Sequence, residues 1–201
     1  MRPLLASVAV LLLAGCGNSG DTGQTRSSGS PTPSACQNRD RTHVMSMTSP
    51  PAQTIDRGKS YTATLRTARG DFKITLDPNA APVTVNNFVF LAQQRFYDCL
   101  TFHRRVEGFV LQGGDPSGDG TGGPAYKLPN EANPAPWKTG SVGMASSPAG
   151  INGSQFFVLL GDAPHLAGGA YNHFGVVSQG MEVAQQIQIG DQILGIDITV
   201  Q

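Results

Sequence analysis

The chain has 201 residues, 39% hydrophobic and 14% charged, and its 14 basic residues balance its 14 acidic ones. That suits one folded domain with extras, and the absence of a basic stripe excludes nucleic acid as an expected partner. The 25 glycines and 14 prolines favour many turns and β structure over a helix bundle.

The first segment, "MRPLLASVAVLLLAGCGNSG", places Arg2 before an apolar run from Leu4 to Leu13. A bilayer span needs about 20 residues, so this run reads as the core of a secretory signal. "LAGC", Leu13 to Cys16, resembles a bacterial lipobox, although a buried helix with an incidental cysteine would share the pattern. The resemblance implies cleavage before Cys16 and a diacylglycerol on its sulfur. Residues 17–35 are rich in Gly, Ser and Thr without an apolar period, a composition that buries too little surface to fold. The expected organisation is a lipoprotein signal peptide over 1–15, a lipid-anchored flexible tether and irregular extension over 16–58, and a folded domain over 59–201. The expected location is the extracytoplasmic face of the cell membrane, reached through the lipid anchor alone.

Export would place Cys36 and Cys99 in an oxidising space, where they form one bridge or stay as two thiols. His43, His103, His165 and His173 lack zinc-type spacing, so neither a metal nor a cofactor is expected.

Residues 37–58 are polar and irregular. "YTATLRTARGDFKITL" then alternates Tyr61, Ala63 and Leu65 before a turn at Arg69-Gly70, and Phe72, Ile74 and Leu76 after it, which predicts a hairpin. Pro82 suits the first turn of a helix. Val85, Phe88, Val89 and Ala92 continue that helix as one apolar face. Short strands are expected over 101–105, 109–112, 141–145, 155–160 and 174–178. A second helix fits "MEVAQQIQ", and "GIDITV" closes the chain as a strand. The sum is a mainly β fold, a closed eight-stranded antiparallel barrel capped by two α-helices.

Three stretches, "FHRRVEGFVLQGGDP", "GSVGMASSPAGINGSQFFVLL" and "HLAGGAYNHFGVV", together resemble the cyclophilin-type peptidyl-prolyl cis-trans isomerases. The resemblance covers roughly residues 60–201 in the family's order and spacing. It implies the cyclophilin barrel, an isomerase acting on Xaa-Pro bonds, and a catalytic set of Arg104, Phe109 and Gln112. Arg104 matches the family's arginine, Phe109, Val110 and Phe157 its apolar floor, and Gln112 the glutamine that hydrogen-bonds substrate backbone. Ala145 and Ser146 match the strand that pairs with bound peptide. Gln155 matches a lining of the neighbouring groove, and His165 and Leu166 match the rim. Tyr171 falls near the family's rim histidine, with one extra residue in "AGGAY" shifting the alignment.

The residues themselves support that reading. A prolyl bond is held by a barrier of ~18–20 kcal/mol, because its C–N bond has partial double-bond character. No bond is broken in the exchange, so neither nucleophile nor metal is needed. A donor aimed at the prolyl nitrogen favours the twisted amide over the planar one, and a guanidinium supplies fixed, charged donors. Taken alone, Arg104 and Arg105 read as solvated charges, and Phe109, Phe156 and Phe157 as core. Phe156 and Phe157 point to opposite faces of a strand, so one alone can line a site. His103 reads as a satisfied structural histidine, and Arg105 as an ordinary solvated charge. Ser154 is not in a G-x-S-x-G elbow, which disfavours a hydrolase. Cys99 near His103 does not by itself make a thiol nucleophile. "GDGTGGPAY" lacks the lysine and helix start of a phosphate loop.

Three positions depart from the family pattern: Ser146 for asparagine, His165 for an indole, and Val110 for methionine. The smaller rim residue implies weak binding of cyclosporin. The expected partners are proline-containing segments of exported proteins, met by a monomer. A tethered proline-peptide-binding or chaperone module with little turnover is the alternative.

Overall fold

A computed structural model of the chain describes residues 40–131, 134–169 and 171–201. The first strands are β1 (Tyr61–Thr67) and β2 (Gly70–Leu76), and their seven-pair register runs from Tyr61↔Leu76 to Thr67↔Gly70. The alternation puts Ala63, Leu65, Phe72 and Ile74 fully inside. Gly70 turns the corner with φ +120, outside the region open to ordinary side chains. Next comes a helix over Pro82–Gln93, with Pro82 in its first turn.

β3 (Arg104–Val106), β4 (Val110–Gly113), β5 (Lys127–Leu128), β6 (Ser141–Ser147), β7 (Gly150–Leu159), β8 (His173–Gln179) and β9 (Ile193–Val200) complete the sheet. A six-residue helix, Met181–Gln186, lies between β8 and β9. The strand order is β3-β4-β7-β6-β8-β2-β1-β9, and β5 pairs with β7 off this path.

The expected closure into a barrel is not what the strands do: the sheet curls and stays open. β3 and β9 end the path at opposite edges. β3 has three residues and cannot ladder along the eight of β9. The edges approach through a bridge between Thr101 and Gln192 ahead of the two strands. Of the two expected cap helices, the Pro82–Gln93 helix is buried on most sides and fills the curl. Its Phe88 ring meets Tyr97, Phe156 and Phe174 at centroid distances of 5.1, 5.6 and 5.2 Å. The short Met181–Gln186 helix buries one residue, Ala184.

Calling the Pro82–Gln93 helix α2 leaves α1 for a turn of helix at Thr42–Met45 that the sequence did not announce. Residues 40–60 are irregular, yet they are strapped to the domain. Arg41 Nε donates to the Phe96 carbonyl at 2.8 Å, and Val44 is buried. The Asn86 amide of α2 accepts from Thr54 N at 2.8 Å and Ile55 N at 3.2 Å, and donates to the Ala52 carbonyl at 3.0 Å. Asn86→Ala strands these backbone groups, which costs about 1–3 kcal/mol. Urea unfolding is expected to register that loss, with faster amide exchange at Thr54 and Ile55.

Candidate active site

β3 and β4 bring the opening residues of the site together by register. Arg104 pairs with Gln112 across the hairpin, and Gln112 in turn faces Phe157 on β7. Three strands thus deliver a charge, an amide and an aromatic ring to one spot. Arg104 Nη1 donates to Gln112 Oε1 at 3.4 Å, and its guanidinium lies 5.9 Å from the centre of the Phe109 ring.

Around this spot a groove of about 270 Å³ is lined by Arg104, Phe109, Val110, Gln112, Ala145, Ser146, Phe157, Leu166 and Tyr171. Two further concavities, of about 260 and 560 Å³, contain none of the site residues expected from sequence.

The strand pleat separates the paired phenylalanines. Phe156 is wholly buried in the main core, and Phe157 belongs to a second apolar cluster with Val110, Trp137, Leu159, Ala163 and Leu166. The β6–β7 register slips between Met144 and Ser146, so Ala145, one of the groove's lining residues, sits at an irregularity of the ladder. The β6–β8 ladder covers Ser141 to Gly143. Ala145 and Ser146 therefore extend past it, at the groove's edge.

Gln155 and His165 stand differently from the other expected residues. Gln155 is buried behind the groove as a brace. It accepts from Gln112 Nε2 at 2.9 Å, and its own Nε2 donates to the Gly120 and Gly122 carbonyls at 3.0 and 2.8 Å. The loop it holds is also gathered by the Asp115 carboxylate, which accepts from Ser117 N and Asp119 N at 2.8 and 3.1 Å. His165 is exposed, and its ring lies 5.4 Å from that of Phe109, outside the groove lining.

Sequence reasoning missed Trp137, which supports the floor from behind. Its ring stacks on Phe157 at 5.6 Å and meets His173 at 4.8 Å. Gly143 makes room for the stack, since a Cβ there would come within 2.6 Å of Phe157 and 2.7 Å of Trp137. The available signal was the solitary tryptophan itself, four residues ahead of "SVGM".

Two basic residues also differ from expectation. His103 is not hydrogen-bonded through its ring: both nitrogens are buried, and neither has a partner among the described residues. Burial lowers its pKa from 6.5, reinforced by Arg104 and opposed by Asp115 and Asp119. Arg105 is not freely solvated: its side chain is 16% exposed and pairs with Glu107. His173 lies against Trp137, and burial lowers its pKa too, opposed by Asp77.

For both histidines the unfolded chain takes up the proton first as pH falls. Stability is therefore whole above about 6.5, falls below it, and levels off beneath the lowered folded-state value. An NMR titration of the ring protons is expected to place both midpoints below 6.5, and midpoints at or above that value would contradict the burial described here.

Cys99 is disulfide-bonded, with its backbone at φ +68. Cys16 and Cys36 lie outside the described residues.

The groove combines a cation, an apolar floor and a strand edge, which suits holding a proline ring with its flanking backbone. Comparison with known proteins points the same way. Residues 62–197 match the family model described as cyclophilin type peptidyl-prolyl cis-trans isomerase/CLD. A peptidyl-prolyl cis-trans isomerase of Synechococcus elongatus is 44% identical over 138 residues, covering 68% of this chain and 94% of that protein. Peptidyl-prolyl cis-trans isomerase B of Bacillus subtilis is 48% identical over 118 residues, covering 58% of this chain and 82% of that one. Among solved structures, a Cryptosporidium parvum cyclophilin-type isomerase is 30% identical with a TM-score of 0.64, covering 70% of this chain and 98% of that one. The same Cryptosporidium protein, in the presence of the dipeptide Ala-Pro, matches with a TM-score of 0.62 at 29% identity, covering 69% and 98%. The chain belongs to the cyclophilin-type peptidyl-prolyl cis-trans isomerase family.

Proposed function

We propose that this isomerase works outside the cytoplasmic membrane, tethered by a lipid on Cys16, and accelerates Xaa-Pro exchange in exported proteins. The observation that carries the catalytic reading is the convergence of Arg104, Gln112, Phe157 and the Ala145–Ser146 backbone on one groove. The proline ring enters over Phe157, between Leu166 and Tyr171. The substrate backbone lies along Ala145–Ser146 as an added strand. Arg104 donates toward the prolyl nitrogen as the amide twists, an interaction absent from the planar ground state and therefore able to lower the barrier. Gln112, braced by Gln155, holds the Arg104 guanidinium and the substrate backbone in one register.

The magnitudes are compatible. Uncatalysed exchange takes about 10–100 s. Reaching milliseconds needs roughly 10⁴-fold or more, about 5–6 kcal/mol. A charged donor in a largely apolar groove supplies about 3–4 kcal/mol of that, and positioning the remainder. The Ala-Pro dipeptide used with the Cryptosporidium relative supports a proline-containing ligand.

Three features support export: the apolar leader, the "LAGC" segment and a disulfide at Cys99, for which Cys36 is the proposed partner. The exposed His165 at the rim supports weak cyclosporin binding. Cell fractionation tests the tether: wild type is expected in the membrane fraction and Cys16→Ser in the soluble one, and identical distributions would reject it. A protease-coupled Xaa-Pro assay on the purified domain tests the activity.

A further inference from the structure

Arg105 has no part in the groove, yet it is built in rather than left in solvent. Its strand, β3, lies at one end of the strand order, so only β4 pairs with it. On the open side the chain before β3 is stitched to the chain after α3 (Met181–Gln186). Phe102 N donates to the Asp191 carbonyl, and Gly190 N to the Phe102 carbonyl, both at 2.9 Å. Asp191 is fixed in turn by Arg69 and by Gln188 N at 2.7 Å.

This stitching stops at Phe102. The next tie on that side is the Arg105 side chain, whose Nη2 donates to the Gln185 carbonyl at 3.0 Å while Nη1 pairs with Glu107. Gln185 is in the last turn of α3, where carbonyls lack intrahelical partners and a cation is favoured. Arg104 lies between the two anchor points. Its link to Gln112 is already 3.4 Å long, which leaves little slack.

We propose that Arg105 is a positioning residue that clamps the edge strand to the end of α3 and so fixes the Arg104 guanidinium over the proline pocket. The inference rests on the reading of Arg104 as the catalytic donor. A displacement of about 1 Å at a catalytic group can cost 10²-fold, so a partly loosened strand costs about tenfold in kcat. KM stays within about twofold, because the ring is held by Phe157, Leu166 and Tyr171, which do not touch Arg105.

The test uses Arg105→Met, which keeps the apolar stem without donors, and Arg105→Lys, which keeps one charged donor. Turnover of a Xaa-Pro peptide is measured together with the NMR signal of the Arg104 Nε–Hε group. For R105M the expected result is kcat down about tenfold, KM within about twofold and a shifted or broadened Arg104 signal, with partial recovery in R105K. Wild-type kcat in R105M, or a fall in kcat with the Arg104 signal unmoved, overturns the clamp. If the wild-type protein itself turns over no peptide, the functional reading fails, and the Arg104 signal still decides the clamp: unmoved in R105M overturns it, moved supports it.

Discussion

Arg104→Ala is expected to lower kcat/KM for a Xaa-Pro peptide by about 10²–10³-fold, with unfolding free energy within about 1 kcal/mol of wild type. The two halves of this expectation have separate causes. Arg104 is exposed on a short edge strand, and it makes a long hydrogen bond to Gln112 and a distant approach to the Phe109 ring. Removing it therefore costs the fold little. In the proposed mechanism, by contrast, it is the donor to the twisted amide, and a charged donor aimed at developing electron density contributes about 3–4 kcal/mol. Arg104→Lys retains charge without the planar fork and should recover only part of the rate. Binding of a proline peptide should change little in either variant, since the apolar floor is intact. Turnover equal to wild type in R104A would sink the mechanism.

Trp137→Ala acts from the other side of the floor and should be costly to the fold itself. The indole is 5% exposed, stacks on Phe157 and touches Tyr171 and His173. Truncating it leaves a cavity under the groove, at about 3–5 kcal/mol. Phe157 can then sink into the space, so the proline ring loses its support and KM should rise by about tenfold, equivalent to 1.4 kcal/mol of binding. Trp137→Phe, which refills most of the volume, should restore much of both. Calorimetry showing a loss under about 1 kcal/mol, with KM unchanged, would contradict the role given to this residue.

The parts of the fold legible in the sequence are those fixed by local periodicity. The alternation of Tyr61 to Leu76 and the apolar face of Val85 to Ala92 each settle an element within one stretch of chain. What sequence reading missed depends on partners far away. The 40–60 strap has no periodicity of its own, because the Asn86 side chain and Arg41 hold it to distant backbone. The two residues of β5 are too few to carry a pattern. Closure of the sheet was overestimated because strand count does not reveal that the edge strand is three residues long.

The site was legible as residue types in order, since "FHRRVEGFVLQ" and "GSQFF" lie on paired strands. Its supports were not. Trp137 meets Phe157 twenty residues away through a notch at Gly143, and Arg105 meets a helix end eighty residues away. Neither role can be read in one dimension, because the neighbours that give these residues work are brought there only by the curl of the sheet.

The most direct test of the account is NMR exchange spectroscopy on a proline-containing peptide with a substoichiometric amount of the purified domain. The account predicts cis–trans exchange moving from the uncatalysed range of about 10–100 s to milliseconds or faster, and about 10²–10³-fold slower catalysis in R104A. Peptide signals that shift on binding while exchange stays at the uncatalysed rate would contradict it, and would make the groove a proline-binding surface without turnover.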